Sequence, residues 1–256
     1  MDEKQRADYL ERIGFVLTEP MDGDGLNRLL RAHLEHVPFE NLDVAERGMV
    51  PELGEEALFD KIVRRRRGGY CFELNTLLLR LLEALGIEAY PVAARVLWGR
   101  DYTPPVSHMG LVARINGRRC FCDVGYGGPG PKGLLYLEAG EQCIAGEEFR
   151  VSIVQEGEYV ISRRSNGQWR RVLGFCDTPF AEVDFQVLNF YCARNEKILF
   201  TQKRVVNLCT DTGSKALTDR ELTVRTGGTV RMRTCRDLDE VYSVLETEFG
   251  IHFSPG

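Results

Sequence analysis

The chain has no basic excess. Its 256 residues hold 33 lysines and arginines against 38 aspartates and glutamates, a formal net charge of −5. A nucleic-acid binder needs a cationic surface to meet phosphates, so no nucleic-acid partner is expected. No apolar run approaches the length of a membrane-spanning helix, and Met1 to Gly14 is charged throughout, unlike a signal peptide. A cytoplasmic protein with no membrane partner is the expectation. Histidine is scarce, with four in the whole chain, and Cys120-Phe121-Cys122 is not a C-x-x-C pair, so no metal is expected. The eight cysteines, Cys71, Cys120, Cys122, Cys143, Cys176, Cys192, Cys209 and Cys235, are expected to be reduced, because no secretory signal accompanies them. There is no internal repeat and no low-complexity linker.

What is present is a globular composition, 43% hydrophobic, long enough for one large domain or two to three small ones. Its character changes twice. From about Arg6 to Leu85 the pattern is helical: Leu26, Leu29, Leu30 and Leu34 form one apolar stripe, Pro38 interrupts, and Leu58, Ile62 and Val63 form another. From Ile87 to about Gly174, short runs rich in Val, Ile, Tyr and Phe are punctuated by Asn116-Gly117, Asn166-Gly167 and the glycines from Gly125 to Gly130. That zone reads as antiparallel β, sandwich or barrel. After Thr178-Pro179 come mixed strands, such as Arg204 to Leu208 and Leu222 to Arg225, and a closing helix around Leu238 to Glu246. The fold class is α+β. The stripe Val183, Phe185, Val187 reads as strand burial.

The segment Arg67-Gly68-Gly69-Tyr70-Cys71-Phe72-Glu73-Leu74-Asn75 hands a double glycine into a strongly helical run, in which leucines recur from Leu74 to Leu85 until Gly86 stops it. Cys71 falls in the first turn. Free N–H groups and the positive end of the helix dipole favour a thiolate there, and the glycines leave room for a substrate to approach. The alternative is that Cys71 is one more small buried hydrophobe.

Asn116-Gly117 between Leu111–Ile115 and Arg118–Cys122 is a strong two-residue hairpin signal. In that register Ile115 faces Arg118 and Val112 faces Phe121; continued outward, Gly110 faces Asp123 and His108 faces Gly125. His108 and Asp123 then share one face as diagonal neighbours, about 7–8 Å apart at the backbone and within side-chain reach. The two glycines would leave space for both. Met109, Leu111, Ala113, Ile115, Cys120, Cys122 and Val124 fall on the other face, so those two cysteines are expected in the core. A one-residue slip would separate His108 from Asp123. Taken alone, His108 could be a structural histidine and Asp123 a turn cap.

Cys71, His108 and Asp123 together make a nucleophile, a base and an orienting carboxylate, a set suited to acyl transfer. Sequence physics does not identify the acyl donor.

At this point the chain resembles the arylamine N-acetyltransferases along nearly its whole length. The segment around Cys71 looks like the family's active-site signature, and His36-Val37-Pro38-Phe39-Glu40-Asn41-Leu42 looks like its Pro-Phe-Glu-Asn-Leu element. Ser107-His108 and Asp123-Val124-Gly125-Tyr126-Gly127 match the segments carrying the other two triad members, and Phe249-Gly250-Ile251 is similar to the family's end. The resemblance implies a helical bundle over 1–86 carrying the nucleophile, a β-barrel over 87–178 carrying His and Asp, and an α/β lid over 179–256, around a core like that of cysteine proteases. It implies that Cys71 takes an acetyl group from acetyl-CoA and passes it, by a ping-pong route, to the amino group of an arylamine or arylhydrazine. Phe39 and Tyr126 match positions lining the acceptor pocket. Tyr126 stands where phenylalanine is common, a departure that leaves acceptor preference open. Gly127, Gly128 and Thr103 match segments near the coenzyme; the glycine loop reads equally as a tight turn.

Two other readings stand beside this one: an amide synthase of polyketide biosynthesis with the same triad, and a Cys-His-Asp peptidase, a transglutaminase-like protein or a triad-bearing binding protein. Arg64-Arg65-Arg66-Arg67 reads as a solvated face, with Arg67 expected to pair with Glu40. Trp98 reads as barrel packing, and His33, His36 and His252 as structural or exposed. Nothing in the sequence fixes the oligomeric state.

Overall fold

The computed structural model describes residues 1–18, 20–138 and 140–253. The first helices are α1 (Glu3–Arg12) and α2 (Gly23–His36), each capped by an aspartate, Asp2 or Asp22, whose side chain accepts an amide of the first turn. A short strand β1 (Phe39–Glu40) follows, then α3 (Leu42–Ala45), α4 (Glu55–Phe59) and a π-helical turn, Asp60–Arg64. The long helix α5 (Cys71–Ala84) is buried on almost every side, as its leucine-rich sequence requires, and ends before Gly86 at φ +73°. Tyr9, Leu26, Leu29, Leu30, Leu58, Ile62 and the α5 leucines form one core.

Eight antiparallel strands follow: β2 (Ala89–Val96), β3 (His108–Ile115), β4 (Arg118–Cys122), β5 (Leu135–Tyr136), β6 (Gly140–Ile144), β7 (Glu147–Gln155), β8 (Glu158–Ser165) and β9 (Gln168–Cys176). Their order is β5-β4-β3-β2-β9-β8-β7-β6. The sheet curls into a nearly closed barrel, and Gln142 on β6 bridges the gap: its side chain donates to the Tyr136 carbonyl at 2.8 Å and accepts the Tyr136 amide at 2.9 Å. Pro91 breaks no ladder bond, because its carbonyl faces the Phe180 amide where β9 does not reach.

The β3–β4 hairpin has the expected register, with Val112 opposite Phe121 and Ile115 opposite Arg118. The ladder ends at Leu111–Cys122, however, so Gly110–Asp123 and His108–Gly125 are not pairs. Cys120 and Cys122 are buried with Met109 and Leu111 as expected.

Past Pro179 come α6 (Glu182–Arg194), α7 (Leu199–Gln202), the strands β10 (Val205–Thr210), β11 (Gly213–Thr218), β12 (Glu221–Thr226) and β13 (Thr229–Thr234), and α8 (Leu238–Phe249). β1 completes this second sheet in the order β1-β10-β11-β12-β13, which ties the chain's first third to its last. Val183, Phe185 and Val187 lie on a helix, contrary to the strand expectation. The buried face of α6 is Phe185, Asn189, Cys192 and Ala193, while Val183 and Val187 are 64% and 71% exposed. Among the described residues no helix is long and apolar enough to cross a membrane. All eight cysteines are free thiols.

Candidate active site

The start of α5 is held by buried charge. The Glu73 side chain reaches back to accept the Tyr70 amide at 3.0 Å and takes an ion pair from Lys61 at 2.7 Å. Lys61 also meets Asp43 at 2.7 Å, and Arg67 grips Glu40 through Nε at 2.9 Å and Nη2 at 2.6 Å. The Arg67–Glu40 pair is the one expected. Arg64, Arg65 and Arg66 are exposed, also as expected. Three carboxylates thus face two buried cations, and Arg47 meets Asp43 from the outer side at 3.4 Å. Burial, reinforced by Glu40, holds the Glu73 carboxyl above its usual range in spite of Lys61. Burial alone would lower the Lys61 pKa, but the surrounding carboxylates raise it on balance.

Gly68 and Gly69 do not leave room for a substrate. A side chain on Gly68 would strike the Pro38 carbonyl, and one on Gly69 would meet Glu73 at 2.8 Å. The glycines let the loop pack against β1, where Glu40 donates its amide to the Gly69 carbonyl at 2.9 Å.

Cys71 opens α5 and is 2% exposed. His108 opens β3, and Asp123 follows β4; both are buried. His108 Nε2 lies 2.7 Å from Asp123 Oδ2. Since a carboxylate only accepts, Nε2 carries a proton, and Nδ1 is the ring nitrogen left for the neighbouring Cys71 sulfur. Burial alone would lower the His108 pKa. The Asp123 carboxylate and the Cys71 sulfur outweigh it, and the value is pushed up to about 10.

Asp123 is fixed from its other side. Its Oδ1 accepts from Asn75 Nδ2 at 2.9 Å and from the Gly125 amide at 2.8 Å. Asn75 also donates to the Met109 carbonyl at 2.7 Å and accepts the Val124 amide at 3.0 Å. One turn beyond Cys71 on the same helix, it clamps nucleophile, base strand and carboxylate into one body. Its role was not read from the sequence, although the i, i+4 spacing from Cys71 was a signal. Gly125 makes room for the helix and not for His108: a Cβ there would stand 2.6 Å from the Cys71 Cα. The room at Gly110 is taken by the Phe121 ring.

A cleft of about 720 Å³ runs between the barrel and the second sheet. Phe39, Asp123, Tyr126, Gly127 and Gly128 line it, as does Trp98, which also packs on the barrel core. Phe39 lies against Phe200, with ring centroids 5.7 Å apart, and Asn41 holds that neighbour by donating to the Phe200 carbonyl at 2.9 Å. Phe200 gave no sequence signal of its own, and Asn41 stood in the Pro-Phe-Glu-Asn-Leu element without an assigned role. Tyr126 packs edge-on to His108 at 5.6 Å and donates its hydroxyl to the Val172 carbonyl at 3.3 Å, so that its polar end is turned into the barrel. Thr103 sits on an exposed loop and does not line the cleft. Among the described residues no cluster of three or more His, Cys, Asp or Glu is placed to hold a metal.

A thiol at a helix start, an imidazole beside it and a buried carboxylate behind that imidazole define an enzyme class that carries acyl groups on sulfur. The comparisons give the family within that class. An N-acetyltransferase family profile matches residues 22–255. The arylamine N-acetyltransferase of Mycolicibacterium smegmatis is 32% identical over 250 residues, covering 95% of this chain and 90% of that protein. Its solved structure superposes with a TM-score of 0.91 over 98% of this chain and 92% of the other. The Mycobacterium marinum arylamine N-acetyltransferase solved in complex with CoA gives 0.89 at 31% identity, over 96% and 92% of the two chains. This chain belongs to the arylamine N-acetyltransferase family and is an acyltransferase.

Proposed function

We propose that this chain transfers an acetyl group from acetyl-CoA to the amino group of an arylamine or arylhydrazine, through an acetyl-cysteine on Cys71. The observation that carries the reading is the buried Cys71–His108–Asp123 chain beside an open cleft. His108 takes the thiol proton at Nδ1, and Asp123 holds the ring and stabilises the imidazolium. The thiolate attacks the thioester carbonyl, and the released CoA thiolate receives the proton from His108. The amine then attacks acetyl-Cys71 and gives its proton to the neutral imidazole, and Cys71 leaves as thiolate.

Phe39 and Tyr126 are the flat walls proposed for the aryl ring, and the inward-turned Tyr126 hydroxyl leaves an apolar surface for it. Gly127 and Gly128, with Lys132 and Arg163 on the same cleft wall, suit the coenzyme's phosphates, and the CoA complex of the M. marinum relative supports CoA as the carrier. Thr103 is the weakest contact of this set, being outside the cleft lining. In this reading residues 1–86 supply the nucleophile, 87–178 the base and carboxylate, and 179–256 a lid over the cleft.

The test is intact-protein mass after mixing with acetyl-CoA and no amine. One acetyl increment is expected, absent in Cys71→Ala and discharged when an arylamine is added. No increment in the folded wild type, under conditions where hydrolysis cannot hide it, would overturn the reading in favour of another acyl donor, such as an amide synthase uses.

A further inference from the structure

A second buried thiol stands next to Cys71 with no part in the acyl cycle. Cys192 lies on the buried face of α6 and donates from Sγ to the Ser107 carbonyl at 3.7 Å. Cys71 Sγ reaches the same carbonyl at 4.0 Å. Two thiols from helices more than a hundred residues apart in sequence converge on one acceptor, in the residue that precedes His108. Burial, and then the neighbouring Cys71, hold the Cys192 pKa well above the ordinary thiol range, so Cys192 waits as a neutral thiol.

We propose that Cys71 and Cys192 form a redox pair, in which a hydroperoxide oxidises Cys71 and Cys192 closes a disulfide that withdraws the nucleophile reversibly from acyl transfer. In the first step the Cys71 thiolate attacks the outer peroxide oxygen. An S–O bond forms and the O–O bond breaks; His108 imidazolium protonates the departing alkoxide or hydroxide, and Cys71 becomes a sulfenic acid. In the second step the Cys192 sulfur attacks the Cys71 sulfur, the S–O bond breaks, and the thiol proton leaves with the hydroxide as water. The peroxide is reduced by two electrons and the two thiols are oxidised by two.

Both sulfurs lie within 4.0 Å of one oxygen, and forming a bond of about 2 Å between them needs side-chain rotation together with an approach of α6 toward α5. A sulfenic acid on Cys71 without a partner stays open to a second hydroperoxide, whose outer oxygen it takes up to become the sulfinic acid, which thiols do not reverse. The pair goes beyond the acyl-transfer reading, since it depends on the Cys71 thiolate and not on which acyl group that thiolate carries.

The experiment treats the wild type with hydrogen peroxide, blocks free thiols, and follows intact mass, a peptide map and activity. A loss of two hydrogens, a peptide linking Cys71 to Cys192, and full recovery of activity with dithiothreitol are expected. In Cys192→Ser under excess peroxide the expected product carries two or three added oxygens on Cys71, and activity does not return with dithiothreitol. Oxygen on Cys71 with no linked peptide in the wild type would overturn the proposal, and so would a bridge between Cys120 and Cys122 only, or resistance to peroxide. The wild-type map decides the matter even if the variant misfolds. Prior acetylation of Cys71 is expected to block the link, which separates this test from that of the acyl cycle.

Discussion

The backbone of Cys71 rests against Gly125: a Cβ on that glycine would lie 2.6 Å from the Cys71 Cα and 3.0 Å from Asn75 Nδ2. The nucleophile and the loop that follows its carboxylate partner are therefore in direct contact, with no side chain between them. Gly125→Ala must push α5 away from Asp123. Displacements of about 1 Å cost on the order of 10²-fold in rate, so kcat/KM for acetyl transfer is expected to fall 10–100-fold. Steady-state kinetics on a variant with native circular dichroism checks this.

Asp123→Asn keeps the shape of the site and removes the acceptor that fixes a proton on His108 Nε2. The imidazole can then carry its proton on Nδ1, facing the thiol, where it cannot act as base. Turnover is expected to fall about 10³–10⁴-fold with little loss of stability. A loss of less than tenfold would mean that the 2.7 Å contact does not set the tautomer.

Lys61→Met would leave the buried Glu40 and Glu73 and the half-buried Asp43 with Arg67 as their shared cation, while Arg47 meets only the outer side of Asp43. Breaking a buried ion network by removing one partner costs about 3–5 kcal/mol. Urea unfolding should register that loss, and activity should fall as well, because Glu73 caps the helix that starts at Cys71.

Two buried histidines make stability depend on pH in opposite directions. His33 is wholly buried against Tyr9, and burial, then Arg12, lowers its pKa from 6.5 to about 3. The unfolded chain binds the proton more readily, so the stability due to His33 is full above pH 6.5 and is lost as the pH falls toward 3. For His108, raised from 6.5 to about 10, the contribution is full below 6.5 and is lost as the pH rises toward 10. His33→Gln keeps a hydrogen-bonding partner for the Tyr9 hydroxyl and should flatten only the acid limb of a plot of Tm against pH. An acid limb as steep as that of the wild type would refute the assignment.

The sequence by itself determined those features that rest on local periodicity and local turn chemistry. The leucine run fixed α5 and put Cys71 in its first turn; Asn116-Gly117 fixed the β3–β4 register and so sent Cys120 and Cys122 into the core. The Arg67–Glu40 pair was also legible, from the charge left next to the double glycine. Local periodicity misled once: Val183, Phe185 and Val187 alternate like a strand, but Phe185, Asn189, Cys192 and Ala193 recur as a helix face, and the bundle buries that face.

Tertiary structure decided what fills each space. Whether a glycine admits a ligand or a neighbouring backbone depends on which distant segment arrives there. Gly68 receives Pro38, Gly125 receives Cys71, and Gly110 receives the Phe121 ring. The His108–Asp123 bond likewise forms beyond the end of the ladder, held by Asn75 from another element, and no strand register specifies it. The convergence of Cys71 and Cys192 on Ser107 belongs to the same class, since only the packing of α6 against the bundle brings the two thiols together. Periodicity acts over a few residues, whereas these contacts join positions tens to more than a hundred residues apart, and only the folded core sets their distances.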